Sequence, residues 1–268
     1  MSVAVSGSER IAEAFESARA EGRRAALMPY LMAGYPDLDC SREIARAYVD
    51  GGADLIELGI PFSDPLADGP VIHAAGVAAL RTGVRVDDAL GVVRDIAERV
   101  PVIVMCYANI ILARGLERFA DTLLAVGASG LIVPDLPLEE APAALAALDA
   151  RGLALVPLVA PTTPDERLAQ IGARARGFLY TVSVTGTTGE RATNDGGLPA
   201  ILARARAHTD VPVAVGFGIG TPAQAAAAAD AGADGVIVGS RLVRAAGEAQ
   251  APADEVRALV RAFAAALG

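Results

Sequence analysis

Gly52-Ala-Asp-Leu-Ile-Glu-Leu-Gly-Ile-Pro-Phe-Ser-Asp-Pro-Leu-Ala-Asp-Gly-Pro70 reads as a helix end, a buried strand and a loop that returns over the strand's tip. From 53 to 60 the run is almost continuously apolar, as a strand covered on both faces requires. Pro61 stops the strand, and Pro65, Gly69 and Pro70 punctuate the loop. The opening of this stretch has two echoes, Gly127-Ala-Ser-Gly-Leu-Ile and Gly232-Ala-Asp-Gly-Val-Ile. A helix end that feeds a buried strand three times marks a chain built of repeated β/α units.

Working outward, short Val/Ile/Leu-rich runs at 25–32, 53–60, 102–107, 130–134, 154–159, 177–183, 211–215 and 234–238 predict eight strands. Helical spacing follows each. This alternation predicts a parallel sheet flanked by helices, and eight units suggest a (β/α)8 TIM barrel. An open doubly wound sheet would carry the same pattern, since strand count alone does not close a barrel. An extra N-terminal helix is expected over 8–21, with Ser8 as N-cap. The 268 residues match the roughly 250 typical of this architecture. No linker or compositional break appears, so the expectation is one domain over 1–268, with 1–8 as a flexible N-terminus. The polar, glycine-rich segment 184–197 has neither strand nor helix pattern and suits a mobile lid.

Composition narrows the chemistry. Hydrophobic residues make up 53% and mean hydropathy is +0.41, enough for a large core. No apolar run reaches the roughly 18 residues needed to span a bilayer, and the first ten residues carry no export pattern. Cys40 and Cys106 are too few for a disulfide scaffold, which fits a reducing cytoplasm. A net charge of −9 argues against nucleic acid or an acidic membrane as partner. All 23 basic residues are arginine, which removes every Schiff-base mechanism that needs a lysine on this chain. His73 and His208 belong to no ligand cluster, so no protein-held metal is expected.

Two acids remain as the candidate chemistry. Glu57 sits in the apolar run, where a desolvated charge costs several kcal/mol unless it has a partner or a task. The competing reading is a buried ion pair, but no arginine falls inside a predicted strand. Asp68 lies on the polar loop, where it could equally cap a turn. Two carboxyls in such different settings can divide two proton-transfer roles. Three loops at strand ends suit an anion: Thr185-Gly-Thr-Thr-Gly189, Gly216-Phe-Gly-Ile-Gly220, and Gly239-Ser240 opening a helix. Tyr180 and Asn109 could place or polarise the acids. Tyr30, Met105, Ile132 and Phe217 could wall an apolar pocket. Asp64 and Asp135 read as turn or contact residues.

These residues, with Pro29-Tyr-Leu-Met-Ala-Gly-Tyr-Pro36, Met105-Cys-Tyr-Ala-Asn109 and Pro134-Asp-Leu-Pro137, resemble the tryptophan synthase alpha chain family from about residue 10 onward. The resemblance implies a β/α barrel that cleaves indole-3-glycerol phosphate to indole and glyceraldehyde 3-phosphate. It implies Glu57 as acid/base at indole C3 and the glycerol hydroxyl, and Asp68 as acceptor of the indole N–H. By the same resemblance Tyr180 orients Asp68 and Thr188 closes onto it. Gly189, Gly218, Gly239 and Ser240 hold the phosphate, and Tyr30, Met105, Ile132 and Phe217 form the indole pocket. Asp64, Asn109, Asp135 and Pro137 fall where the family meets a beta chain in an αββα complex. Pyridoxal phosphate is implied only on that beta chain, with no cofactor here. The lid sequence from Glu190 to Asp195 departs from the family pattern. Three alternatives stay open: a stand-alone lyase releasing indole, another phosphate-binding barrel such as an isomerase or epimerase, and a non-catalytic barrel that activates a partner chain.

Overall fold

The structure, a computed structural model, describes residues 5–182, 197–216 and 218–268. Its strands are β1 (Ala26–Met32), β2 (Ile56–Gly59), β3 (Val102–Met105), β4 (Gly130–Ile132), β5 (Ala154–Leu155), β6 (Leu158–Val159), β7 (Leu179–Thr181), β8 (Val213–Val215) and β9 (Gly235–Val238). The helices among the described residues are α1 (Gly7–Ala20), α2 (Leu38–Asp50), α3 (Pro70–Arg81), α4 (Val86–Ile96), α5 (Ala108–Arg114) and α6 (Leu116–Ala125). They continue with α7 (Ala141–Asp149), α8 (Asp165–Gly172), α9 (Gly197–Arg206), α10 (Pro222–Asp230), α11 (Ser240–Glu248) and α12 (Pro252–Leu267).

All strand pairs are parallel, in the order β5-β4-β3-β2-β1-β9-β8-β7-β6. The two end strands, β5 and β6, are halves of the single expected strand 154–159. Val156 N donates to Leu131 O at 2.9 Å, toward β4, while Pro157 O accepts from Tyr180 N at 3.0 Å, toward β7. One segment therefore serves both neighbours in turn, and the sheet closes into a barrel. Pro157 has no N–H to give, which suits the residue where the segment changes partner.

The interior confirms closure. Met28, Leu55, Ile103, Ile132, Val156, Phe178, Ala214 and Ile237, one from each of the eight strand segments, share a single buried cluster. Ile11, Phe15 and Ala18 of α1 join that cluster, and the Phe15 and Phe178 rings lie 5.9 Å apart. The N-terminal helix is thus the plug of the barrel's lower end. Burying a large apolar side chain of this kind contributes about 1.5–3 kcal/mol. The other strand faces, among them Leu27, Leu31, Ile56, Leu58 and Val104, pack outward with Ile44, Tyr48, Val93 and Phe119.

Three local expectations change. α1 starts at Gly7, so residues 7 and 8 belong to a helix and not to a flexible terminus. Its cap is Ser6: Glu9 N donates to Ser6 Oγ at 3.2 Å and Ser6 N to Glu9 Oε2 at 2.7 Å, a reciprocal capping box. A helix missing from the sequence reading, α5, follows β3 directly. The lid segment lies outside the described residues except for Gly197, which opens α9.

Candidate active site

Glu57 is on β2, in register with Tyr30 of β1 and Ile103 of β3, so all three side chains face the barrel interior. It is 3% exposed, and its Oε2 has no hydrogen-bond partner among the described residues. Among the described residues no arginine pairs with it. Burial first, and then the charge of Asp68, push its carboxyl up to about 8. Near neutral pH this acid therefore holds its proton, the state a general acid must start from.

Asp68 is half-buried on the loop between β2 and α3. Its Oδ1 accepts a hydrogen bond from the Tyr107 hydroxyl at 2.9 Å, and the same hydroxyl accepts from Ala67 N at 3.1 Å. Burial raises the Asp68 carboxyl, against the opposing pull of the Tyr107 bond and the His73 charge. Tyr180, the residue expected to orient Asp68, makes no hydrogen bond to it. Tyr180 stands inside the barrel on β7, close enough to Glu57 for that charge to add to the burial that raises its phenol. The geometry gives the bond to Tyr107 because Tyr107 lies just past the end of β3, the strand beside β2, whereas β7 lies across the barrel.

Two glycines make room for the tyrosines. A Cβ at Gly59 would overlap the Tyr30 hydroxyl, and one at Gly216 would overlap the Tyr180 ring. Gly216 thus has a packing duty in addition to opening its loop. Tyr30 is 5% exposed, and burial with the charges of Asp68 and Glu57 raises its phenol well above the usual range. Met105 and Ile132 sit in register with each other at the ends of β3 and β4. Gly218 takes a left-handed φ of +67°, and no atom of the described residues lies within 4 Å of where a Cβ would go. Gly239 is the N-cap of α11 and Ser240 its first residue, at the same end of the neighbouring strand β9. Backbone N–H groups at such a helix start favour an anion. Thr188, Gly189 and Phe217 lie outside the described residues.

The family model described as tryptophan synthase alpha chain matches residues 15–267. The chain belongs to the tryptophan synthase alpha chain family. It is 49% identical over 236 residues to the tryptophan synthase alpha chain of Prochlorococcus marinus, covering 87% of this chain and 86% of that one. Against the alpha chain of Roseiflexus castenholzii, identity is 52% over 200 residues, 74% and 76% of the two chains. A structure of Mycobacterium tuberculosis tryptophan synthase superposes with a TM-score of 0.90 at 44% identity, over 96% of this chain and 98% of that one. The alpha chain of Legionella pneumophila gives 0.87 at 37% identity, covering 96% and 97%.

Within this family member, the four residues expected at a partner face gather on one rim. Asp64, Asn109, Asp135 and Pro137 are all exposed. Asp135 Oδ1 accepts from Ala108 N at 2.8 Å, so a carboxylate from the loop after β4 caps α5. Two apolar residues that the sequence reading passed over complete the rim: Leu66 is 87% exposed and Leu112 71%. Their hydropathy was visible in the sequence, but the place of Leu112 depends on α5, which was not. A groove of about 410 Å³ is lined by Pro61, Phe62, Leu80, Val84 and Ile110, and so reaches the start of the Asp64 loop and α5.

Proposed function

We propose that this chain cleaves indole-3-glycerol phosphate to indole and glyceraldehyde 3-phosphate, as the alpha component of an αββα assembly with a beta chain. The observation that carries this reading is Glu57: a buried carboxyl whose Oε2 has no hydrogen-bond partner among the described residues, at the end of the barrel where the candidate anion loops lie. Family membership supports the reading.

The chemistry needs an electron sink for a reverse aldol cleavage, and the chain has no lysine to supply an iminium. Glu57 instead donates its proton to indole C3, which makes the ring an indoleninium cation. The resulting carboxylate takes the glycerol hydroxyl proton as the carbon–carbon bond breaks. The bond's electron pair returns to the ring, releasing indole and the aldehyde. Asp68, ionised on its wetter loop, accepts the N–H and offsets the positive charge that forms there. Gly218, Gly239 and Ser240 supply backbone groups for the phosphate, joined by Gly189. Tyr30, Met105, Ile132 and Phe217 enclose the ring. Tyr180 acts inside the barrel beside Glu57. No cofactor is required on this chain, pyridoxal phosphate being confined to the beta chain.

The rim formed by Asp64, Leu66, Asn109, Leu112, Asp135 and Pro137 is the proposed face for the beta chain. Its exposed apolar side chains, bordered by acids, have the composition of a docking surface. We assign the chain to one domain in the cytoplasm. Both Cys40 and Cys106 are free, and no helix among the described residues is long and apolar enough to cross a membrane.

The test is indole release from indole-3-glycerol phosphate by the parent and by Glu57→Gln. The variant should lose about 10²–10⁴ of turnover while still binding a phosphate ligand. Comparable turnover would end the assignment.

A further inference from the structure

The reading above leaves Asp68 with a task that demands both a charge and an aim. Something must keep a half-buried carboxyl ionised and pointed. Tyr180 makes no hydrogen bond to it, and Thr188 lies outside the described residues. Tyr107 does touch it, and the surroundings hold Tyr107 in place from three sides.

Its ring stacks on Phe62, with centroids 5.0 Å apart and planes 24° from parallel. Its hydroxyl is occupied in both directions, accepting from Ala67 N and donating to Asp68 Oδ1. Its backbone is the N-cap of α5, whose first N–H is pinned by Asp135. Only 3% of the residue is exposed, so water does not compete freely for the phenol. Because the hydroxyl's acceptor side is engaged by Ala67, its proton is directed at Asp68. A hydrogen bond to a charged acceptor favours that charge, and a fixed donor also fixes the acceptor's rotamer.

We propose that Tyr107 is the positioning residue for Asp68, holding the carboxylate ionised and directed at the indole nitrogen through its hydroxyl. This rests on the reading of the chain as an indole-3-glycerol phosphate lyase. Among the described residues, four ionisable groups face Asp68: Tyr107 from the start of α5, Tyr30 from β1, Glu57 from β2 and His73 from α3. Tyr107 is the one in hydrogen-bond contact. Removing its hydroxyl takes away an interaction that lowers the Asp68 pKa. Activity that needs ionised Asp68 should then fail at a higher pH on the acid side.

The experiment is the pH profile of kcat/KM for Tyr107→Phe, which keeps the ring stack with Phe62 and loses only the hydroxyl. The acid limb should move up by about one pH unit, with the alkaline limb unmoved. The same substitution in an Asp68→Asn background should add less than a twofold effect, since Tyr107 acts through the carboxylate. Replacing Tyr107 with 3-fluorotyrosine, a stronger donor of unchanged shape, should move the limb the other way and keeps the question open to measurement if the phenylalanine variant misfolds. An unmoved acid limb in both variants, or an equal loss in the Asp68→Asn background, overturns the inference. A parent chain that releases no indole would instead overturn the functional reading on which it rests.

Discussion

Asp54 and Glu57 lie three residues apart on one strand segment, and the barrel treats them in opposite ways. Asp54 is at the lower end. Its Oδ2 accepts from Leu27 N at 2.7 Å and from Arg23 at 2.7 Å, and burial raises its carboxyl only to about 6 against those bonds. Glu57 is at the upper end, where burial meets no opposing bond and the carboxyl rises to about 8. The repeat seen in the sequence explains the lower acid. Asp234, at the matching place in its echo, accepts from Val213 N at 2.9 Å and pairs with Arg19 and Arg206, each at 2.7 Å. Lower-end aspartates tie strand to strand and are neutralised by arginine. Among the described residues no arginine neutralises the upper acid, which suits it to the proton transfer proposed for it.

The sharpest way to break this comparison is to follow stability with pH. The ordinary value for a glutamate is 4.5 and the folded value for Glu57 is about 8. Between these limits the unfolded chain has lost a proton that the folded chain keeps, so rising pH favours unfolding. The contribution is fully present below 4.5 and gone above about 8. Glu57→Gln has no such proton. Asp54 titrates alike in both proteins and cancels in the difference. The variant should therefore gain stability on the parent by a few kcal/mol as pH rises from about 5 to about 8. Urea unfolding of both proteins across that range measures it. A constant difference would mean that Glu57 is not held as a buried neutral acid.

Breaking the lower acid's pairing should have a different signature. Arg23→Met leaves Asp54 with one bond and no counter-charge, and should lower stability by about 2–4 kcal/mol at neutral pH. The loss should shrink toward pH 5, where Asp54 can take up a proton. Indole release per folded molecule should not change, because Arg23 belongs to the lower end. A fall in that specific activity would show that the two ends are not separable.

How much of this was legible in the sequence follows from how local each signal is. The eight apolar runs announced the strands, and Glu57 stood out because Leu55, Ile56, Leu58 and Ile60 flank it in the same run. The join across 154–159 was hidden in one run, although Pro157 marks the place where the strand changes partner. α5 was missed because its cap comes from Asp135, 27 residues further on, and not from its own first turn. Tyr107 looked like a strand-end aromatic, since its two hydrogen bonds reach a loop some 39 residues earlier. Ser6 was readable: Ser6-Gly-Ser-Glu9 is a capping-box spacing, but Ser8 sits nearer the first apolar residue and drew the choice. The misses other than Ser6, whose partner Glu9 is local, share a cause. Each depended on a partner that only the closed barrel brings near.

The smallest effect probes the member of the repeat that breaks its own rule. Where Asp54 and Asp234 stand in two echoes, the third has Ser129, fully buried, with no hydrogen-bond partner for its Oγ among the described residues. Its backbone still ties the sheet, Ser129 N donating to Val102 O at 2.8 Å and its carbonyl accepting from Ala154 N at 3.1 Å. The side chain has no strand amide to accept and no arginine to meet. A buried hydroxyl in that position is a desolvation cost without a return bond. Ser129→Ala should therefore stabilise the barrel by up to about 1 kcal/mol, a rise of roughly 2 °C in Tm, with activity unaltered. A lower Tm would show that the hydroxyl finds a partner, and that the third echo closes its strand joint as the other two do.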